Sequence, residues 1–230
     1  SWNNFRGKNE NWKTVNQQNY QKFKMKNIWA IVTARRNSKS IKRKNIVKLG
    51  NKKIIEYSFD VLDKIRKKRQ IQKIIVSSDE EIIKKLSKKF NFEYHKRIKK
   101  LSGDRVNSVD VVKDVLNTAK NSGYKLPEYF LLIQPTSVFI QKEHLNKIIN
   151  KLKTNKFKSA QTIIKVPHQF HAYNQRELFN TKVKFLFEKK RMLMHNKQTK
   201  PSFYSYGNLI ASNTNKFLKE SNFFIKPSFG

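Results

Sequence analysis

Three cations at short intervals, Arg35, Lys39 and Lys44, share one polar stretch with Asn37, Ser38 and Asn45. Fixed positive charge among hydroxyls, amides and backbone N–H groups is what holds a triphosphate, because charge-assisted hydrogen bonds to phosphate oxygens are the strong ones. Such a cluster works only if something rigid presents it. Directly before it, Ile28 to Ala34 (IWAIVTA) is apolar, rich in β-branched residues and uncharged, which predicts a buried strand. After it the apolar pattern resumes at Ile46, Val47 and Leu49, and Gly50-Asn51 marks a turn. A buried strand that delivers a cationic loop to its carboxyl end suits an open α/β sheet, whose ligands sit outside the carboxyl ends of the strands.

Other polar groups stand at comparable places. Ile74 to Ser77 reads as a second strand, followed by Ser78-Asp79 and a helix running to Phe90. Asp79 either caps that helix or faces a ligand, and both readings are open at this level. Tyr129 to Gln134 reads as a further buried strand, stopped by Pro135, so Gln134, Thr136 and Ser137 belong to a second polar loop that should face the same crevice. Between them lies a polar segment with Asp104, and Asn107 or Ser108 is placed to cap a helix over Val109 to Ala119. Ile54, Ile55, Phe59, Leu62 and Ile65 mark one face of another helix. Later elements are a helix over Leu145 to Leu152 and strands over Ala160 to Val166 and Gly207 to Ser212.

The string Ala34-Arg35-x-Asn37-Ser38-Lys39-x-x-x-x-Lys44-Asn45 resembles the nucleotide-binding loop of the CMP-sugar synthetases, the acylneuraminate cytidylyltransferase family. Ile74 to Asp79 (IIVSSD) resembles that family's IIVSTD, and Leu132 to Ser137 (LIQPTS) resembles its LLQPTS, in the same order and spacing. Neither GxxxxGK[ST] nor GxGxxG occurs, which excludes the P-loop and Rossmann fingerprints. The resemblance implies a doubly wound, mostly parallel α/β sheet with a small dimerisation arm. It further implies transfer of CMP from CTP to an acidic nine-carbon sugar, with release of pyrophosphate. Arg35, Lys39 and Lys44 would then be the catalytic cations over the triphosphate. Ala34, Asn37, Ser38, Asn45, Lys73 and Asp79 would complete the nucleotide site, with Asn45 toward the ribose and Lys73 toward the base. Gln134, Thr136, Ser137, Asp104 and Ser108 would serve the acceptor sugar, and Mg²⁺ would bridge the phosphates.

Departures from the family pattern carry their own expectations. Arg36, Asn37, Ser40 and Lys42 stand where its loop has glycines and a proline; if the backbone there is left-handed, Asn37 tolerates it best. Val138-Phe139-Ile140 replaces the usual Pro-Leu-Arg. The family places a metal-binding Asp-x-Asp beyond the stretch matching Phe223 to Pro227. The sequence reaches Gly230 first, so the expectation is a fragment, or a chain without the metal pair that turns over slowly.

The 230 residues suffice for one domain with a buried core, expected over residues 27–230 after a polar tail at 1–26. Without cysteine there is neither a disulfide framework nor a thiolate site, which accords with a cytoplasmic protein. No apolar run approaches the ~20 residues of a membrane helix. The formal charge of +35 raises nucleic acid as a partner, but the lysines are spread over every expected helix rather than gathered on one face. The charge therefore reads as a bias of composition, and a basic, inactive homologue that holds nucleotide or RNA is the alternative function. His168 and His171 have i, i+3 spacing without nearby carboxylates, so a structural role outweighs metal binding. Residues 168–204 carry aromatics with no clear period, at the place of the family's arm, which implies a homodimer.

Overall fold

A computed structural model describes residues 26–38, 41–194 and 196–230. In chain order the elements are β1 (Ile28–Ala34), a 3₁₀ turn (Lys44–Ile46), β2 (Lys48–Leu49), β3 (Lys52–Lys53), α1 (Ile54–Lys67), β4 (Lys73–Ser78), α2 (Glu81–Lys89) and β5 (Glu93–Lys96). Then follow α3 (Ser108–Asn121), β6 (Tyr129–Ile133), α4 (Lys142–Lys153) and β7 (Ser159–Lys165). The segment expected as an arm holds β8 (Arg176–Phe179), β9 (Lys182–Phe185) and α5 (Glu188–Leu193), and the chain returns through β10 (Tyr204–Asn213), α6 (Thr214–Glu220) and β11 (Ser228–Phe229).

Seven strands form the main sheet in the order β11-β7-β10-β6-β1-β4-β5. β1 runs parallel to both β4 and β6, β5 parallel to β4, and β11 parallel to β7, while β10 is antiparallel to its two neighbours. The expected mostly parallel α/β architecture is what forms. The reason is legible in β1, where side chains alternate between two cores. Ile28, Ala30, Val32 and Ala34 join the core under α1, α2 and α4, together with Phe59, Leu62 and Ile149. Trp29 and Ile31 join the opposite core with Val112, Val115 and Leu116 of α3 and Phe217 of α6. Each such buried side chain stabilises the fold by roughly 1.5–3 kcal/mol. Helices on both faces leave the carboxyl ends of β1, β4 and β6 as an open rim.

Local details adjust several expectations. Asp79 does not cap α2; the N-cap is Glu80, which makes no side-chain capping bond. Asn107, not Ser108, caps α3, its side chain accepting from the Val109 N–H at 3.0 Å. Gly50 adopts φ +63° in the tight β2–β3 turn. At a bulge in β10 the Asn208 and Leu209 N–H groups both donate to Thr162 Oγ1, at 3.0 and 3.1 Å. A Cβ on Gly207 would lie 2.5 Å from that oxygen, so only glycine fits. The expected tail falls, up to residue 25, outside the described residues.

Candidate functional site

The rim encloses a crevice of about 310 Å³ between the loop after β1, the segment joining β5 to α3, and the loop after β6. Arg35, Asn37, Ser38, Lys44 and Asn45 line it from the first side, Asp104 and Ser108 from the second, and Gln134 and Thr136 from the third. Three stretches far apart in sequence thus meet where parallel strands end, as the topology requires.

Arg35 spans the crevice. Its Nη1 donates to the Gly103 carbonyl at 3.0 Å and lies 2.9 Å from Asp104 Oδ1. Asn45 is buried, and its Nδ2 donates to the Arg35 carbonyl at 2.9 Å, so its amide fixes the loop backbone as well as lining the cavity. Asp79 holds the other side of that loop, accepting from the Arg36 N–H at 2.7 Å. Asp79 is therefore absent from the crevice lining and acts as a brace for the cationic loop.

Other expected site residues are placed elsewhere. Ala34 is fully buried in the α1-side core and offers the crevice no side chain. Ser137 is buried, its hydroxyl turned to the Asn208 carbonyl at 3.4 Å. Lys73 opens β4, in register with Trp29 at the start of β1, which sets it about 16 Å of strand away from the crevice end. There its ammonium pairs with Glu93 and lies 3.5 Å from the Tyr124 ring centroid. A residue just before a parallel strand belongs to the amino end of the sheet, so Lys73 cannot reach a ligand at the other end. Lys39 lies outside the described residues. Among the described residues of the loop the left-handed position is Arg43, φ 54°, and neither Arg36, Asn37 nor Lys42 has positive φ; Ser40 lies outside them.

Arg97 is the residue that sequence reading missed. It follows β5 at the same rim, lines the crevice, and is 6% exposed. Its Nη2 donates to the Ser77 carbonyl at 3.0 Å and its Nε faces Ser77 Oγ at 3.4 Å. Burial pulls its guanidinium below the ordinary arginine value; the Asp79 charge opposes that, and the Arg35 charge reinforces it. Arginine nevertheless stays charged. A buried cation with no ion pair of its own among the described residues, facing an open polar cavity, is the electrostatic mark of an anion site. Its only signal in the sequence was its place at the carboxyl end of a short strand.

The crevice's lining carboxylate is Asp104, and it already faces Arg35. Among the described residues no three His, Asp or Glu side chains gather as metal ligands. Asp104 is thus the one carboxylate that the described lining would offer to a divalent ion bound with phosphates. His171 settles as a structural residue, its Nδ1 accepting from the Tyr173 N–H at 3.1 Å, its Nε2 2.9 Å from the Pro201 carbonyl, and its ring stacked on Phe203.

A protein-family model described as Cytidylyltransferase matches residues 29–222, a span that holds all three sides of the crevice. The chain belongs to the cytidylyltransferase family. Curated members similar to it include the N-acylneuraminate cytidylyltransferase of Escherichia coli O18:K1:H7, 27% identical over 127 residues, or 55% of this chain and 28% of that protein. The pseudaminic acid cytidylyltransferase of Campylobacter jejuni is 26% identical over 206 residues, 88% of this chain and 84% of the relative. Among solved structures, CMP:2-keto-3-deoxy-manno-octonic acid synthetase complexed with CTP shares the fold at TM-score 0.62 and 10% identity, over 85% of this chain and 77% of that one. The 4-diphosphocytidyl-2C-methyl-D-erythritol synthase of Anaerococcus prevotii does so at 0.57 and 20%, over 86% and 75%. This cytidylyltransferase thus carries the family fold.

Proposed function

We propose that the crevice binds CTP and passes its CMP moiety to an acidic nine-carbon sugar of the sialic or pseudaminic acid class, releasing pyrophosphate. The observation that carries this reading is the convergence of Arg35, Lys44 and Arg97 on one cavity whose far lip is Gln134 and Thr136. The sugar's anomeric hydroxyl would release its proton to solvent as its oxygen forms the new bond to the α-phosphorus, and the bond from that phosphorus to the bridging oxygen of the departing pyrophosphate would break. Such transfers need positioning and charge neutralisation more than covalent help from the protein. The loop cations, with Lys39, neutralise the triphosphate, and Ser38 and Asn37 add hydrogen bonds. Gln134, Thr136, Ser108 and Asp104 face the acceptor. Arg35 would exchange Asp104 for a phosphate when CTP enters. A divalent ion would travel with the nucleotide.

The related synthetases named for N-acylneuraminate and pseudaminate support the acceptor class, the second over nearly the whole chain. A second reading, nucleotide binding without turnover, is favoured by the lack of a carboxylate cluster among the described residues. We further propose a cytoplasmic homodimer formed through the β8–β9 arm. The test is pyrophosphate release from each of the four common ribonucleoside triphosphates, with N-acetylneuraminate or pseudaminate as acceptor. Release with CTP and one of these acids is expected. Release that ignores the base, or that needs no acidic sugar, would overturn the reading.

A further inference from the structure

Behind the crevice, a serine, a histidine and an aspartate stand in line. His95 Nδ1 lies 3.1 Å from Ser77 Oγ, and His95 Nε2 lies 3.3 Å from Asp114 Oδ2 and 3.4 Å from Thr118 Oγ1. This order of residues suggests an activated nucleophile, but Ser77 is fully buried in β4 and no substrate can reach its oxygen. The line continues instead to the crevice, because the same Ser77 oxygen faces Arg97 Nε.

The proton positions follow from the acceptors. The Asp114 carboxylate charge favours a proton on the His95 nitrogen that faces it, and the Thr118 hydroxyl can accept from that N–H. The Asp114 contact acts through charge more than through alignment, since Oδ2 makes no well-directed hydrogen bond. With the proton on Nε2, Nδ1 is a lone pair and receives the Ser77 O–H. The Ser77 oxygen then turns its own lone pairs to the Arg97 Nε–H. The opposite tautomer would aim a lone pair at a carboxylate and leave Ser77 to choose its direction freely.

We propose that His95, biased by the Asp114 charge, and Ser77 form a hydrogen-bond relay that aims the Arg97 guanidinium into the crevice, which makes His95 a positioning residue for the nucleotide. The consequence for CTP rests on the nucleotide reading given above; the relay itself does not. Burial favours the neutral imidazole that the relay needs; the Asp114 charge from α3 opposes this, and the Arg97 charge after β5 supports it. Glu93 and Lys96 of β5 line the same cavity as His95 and Asp114. Protonated His95 would place an N–H on the Ser77 oxygen and a second positive charge near Arg97. Both changes loosen the guanidinium. The sequence hides this device, because its members come from β4, β5 and α3.

The experiment is ¹⁵N NMR of the full chain, read at histidine ring nitrogens and arginine Nε–H groups, together with CTP calorimetry. At pH 7.5 His95 should show the neutral Nε2–H tautomer, and the Arg97 Nε–H should give a resolved, slowly exchanging signal. Acidification should move that signal with the same midpoint as the His95 ring. Ser77→Ala and the milder Asp114→Asn should abolish the shared midpoint, and Ser77→Ala should weaken CTP about tenfold, the worth of one hydrogen bond to a charged group. An Nδ1–H tautomer, or an Arg97 signal indifferent to His95 titration in the unaltered chain, would overturn the relay. Shared titration without any CTP binding would uphold the relay and sink the nucleotide reading, so the two failures are distinct.

Discussion

Glu80 clasps Arg43 with both carboxylate oxygens, Oε1 at 2.6 Å from Nη2 and Oε2 at 3.4 Å from Nε, and Arg43 is the residue that turns left-handed in the cationic loop. Glu80 is buried, whereas Arg43 is half exposed. The pair raises the Arg43 guanidinium's affinity for its proton, chiefly through the hydrogen bond to Glu80. A left-handed backbone disfavours any side chain with a Cβ. The clasp offsets that cost where it matters, since the next residues, Lys44 and Asn45, line the crevice.

Glu80→Gln is therefore expected to weaken CTP by roughly tenfold, as the loss of one charge-assisted contact implies. Arg43→Gly removes the need for the clasp, because glycine enters the left-handed region freely. Calorimetry on the double variant Glu80→Gln/Arg43→Gly should recover most of the lost affinity. No recovery would mean that Glu80 acts by some route other than the backbone of Arg43.

Arg35→Ala, Lys44→Ala and Arg97→Ala should each weaken CTP by about 1–3 kcal/mol, the range for a lost hydrogen bond to a charged group. Arg97→Lys should fail to rescue, since an ammonium cannot reproduce the fork that holds both Ser77 and a phosphate. Lys73→Ala should leave CTP affinity unchanged, its partners being at the amino end of the sheet. Unaltered CTP affinity in the Arg35 and Lys44 variants, with circular dichroism intact, would remove the loop from the site.

These expectations show where sequence was a sufficient guide. β1 was legible to the residue because both its faces are buried and its neighbours in sequence are charged. Gln134 and Thr136 were legible because a proline ends β6 beside them. Arg97 was not, since its partner is Ser77 of the neighbouring strand β4, a contact that no local pattern records. The arm was illegible for the opposite reason. β8 and β9 are exposed along nearly their whole length, so no alternation marks them as strands. For Lys73 the family resemblance outweighed a physical clue, its place just before a parallel strand.

Stability should fall on acidification in a way that depends on His95. Its folded pKa lies below the ordinary 6.5, because burial disfavours the imidazolium. The unfolded chain then binds more protons just below that value, so stability from this group is present above pH 6.5 and is lost as pH drops toward the folded pKa. The midpoint of thermal unfolding, followed from pH 7.5 to 5, should decline less steeply in His95→Gln than in the unaltered chain. Parallel curves would show that His95 does not titrate differently on folding.

The arm presents apolar side chains to solvent: Leu178 is 70% exposed, Phe179 71% and Leu193 81%. Large apolar side chains left in solvent are what the proposed dimer contact would cover. Light scattering at micromolar concentration should give a dimer, and Phe179→Asp with Leu193→Asp should give a monomer that keeps its fold. A monomeric unaltered chain would reduce the arm to an insertion.

Salt separates the nucleotide reading from nucleic-acid binding. A chain of formal charge +35 attracts any polyanion, and a nucleic acid neutralising six to ten phosphates would lose about 10³–10⁵-fold in affinity between 50 and 200 mM salt. In the proposed site CTP would engage only the few cations of the crevice, of which Arg97 is buried and thus poorly screened. Its affinity should fall far less over the same range, and the preference for CTP over other triphosphates should survive, because base selection owes nothing to counterion release. Calorimetry at the two salt concentrations, run with CTP, GTP and a single-stranded RNA, checks both points. If RNA kept its affinity at 200 mM salt while CTP and GTP bound equally, the crevice would be a polyanion site, and its three cations would not be arranged for a cytidine nucleotide.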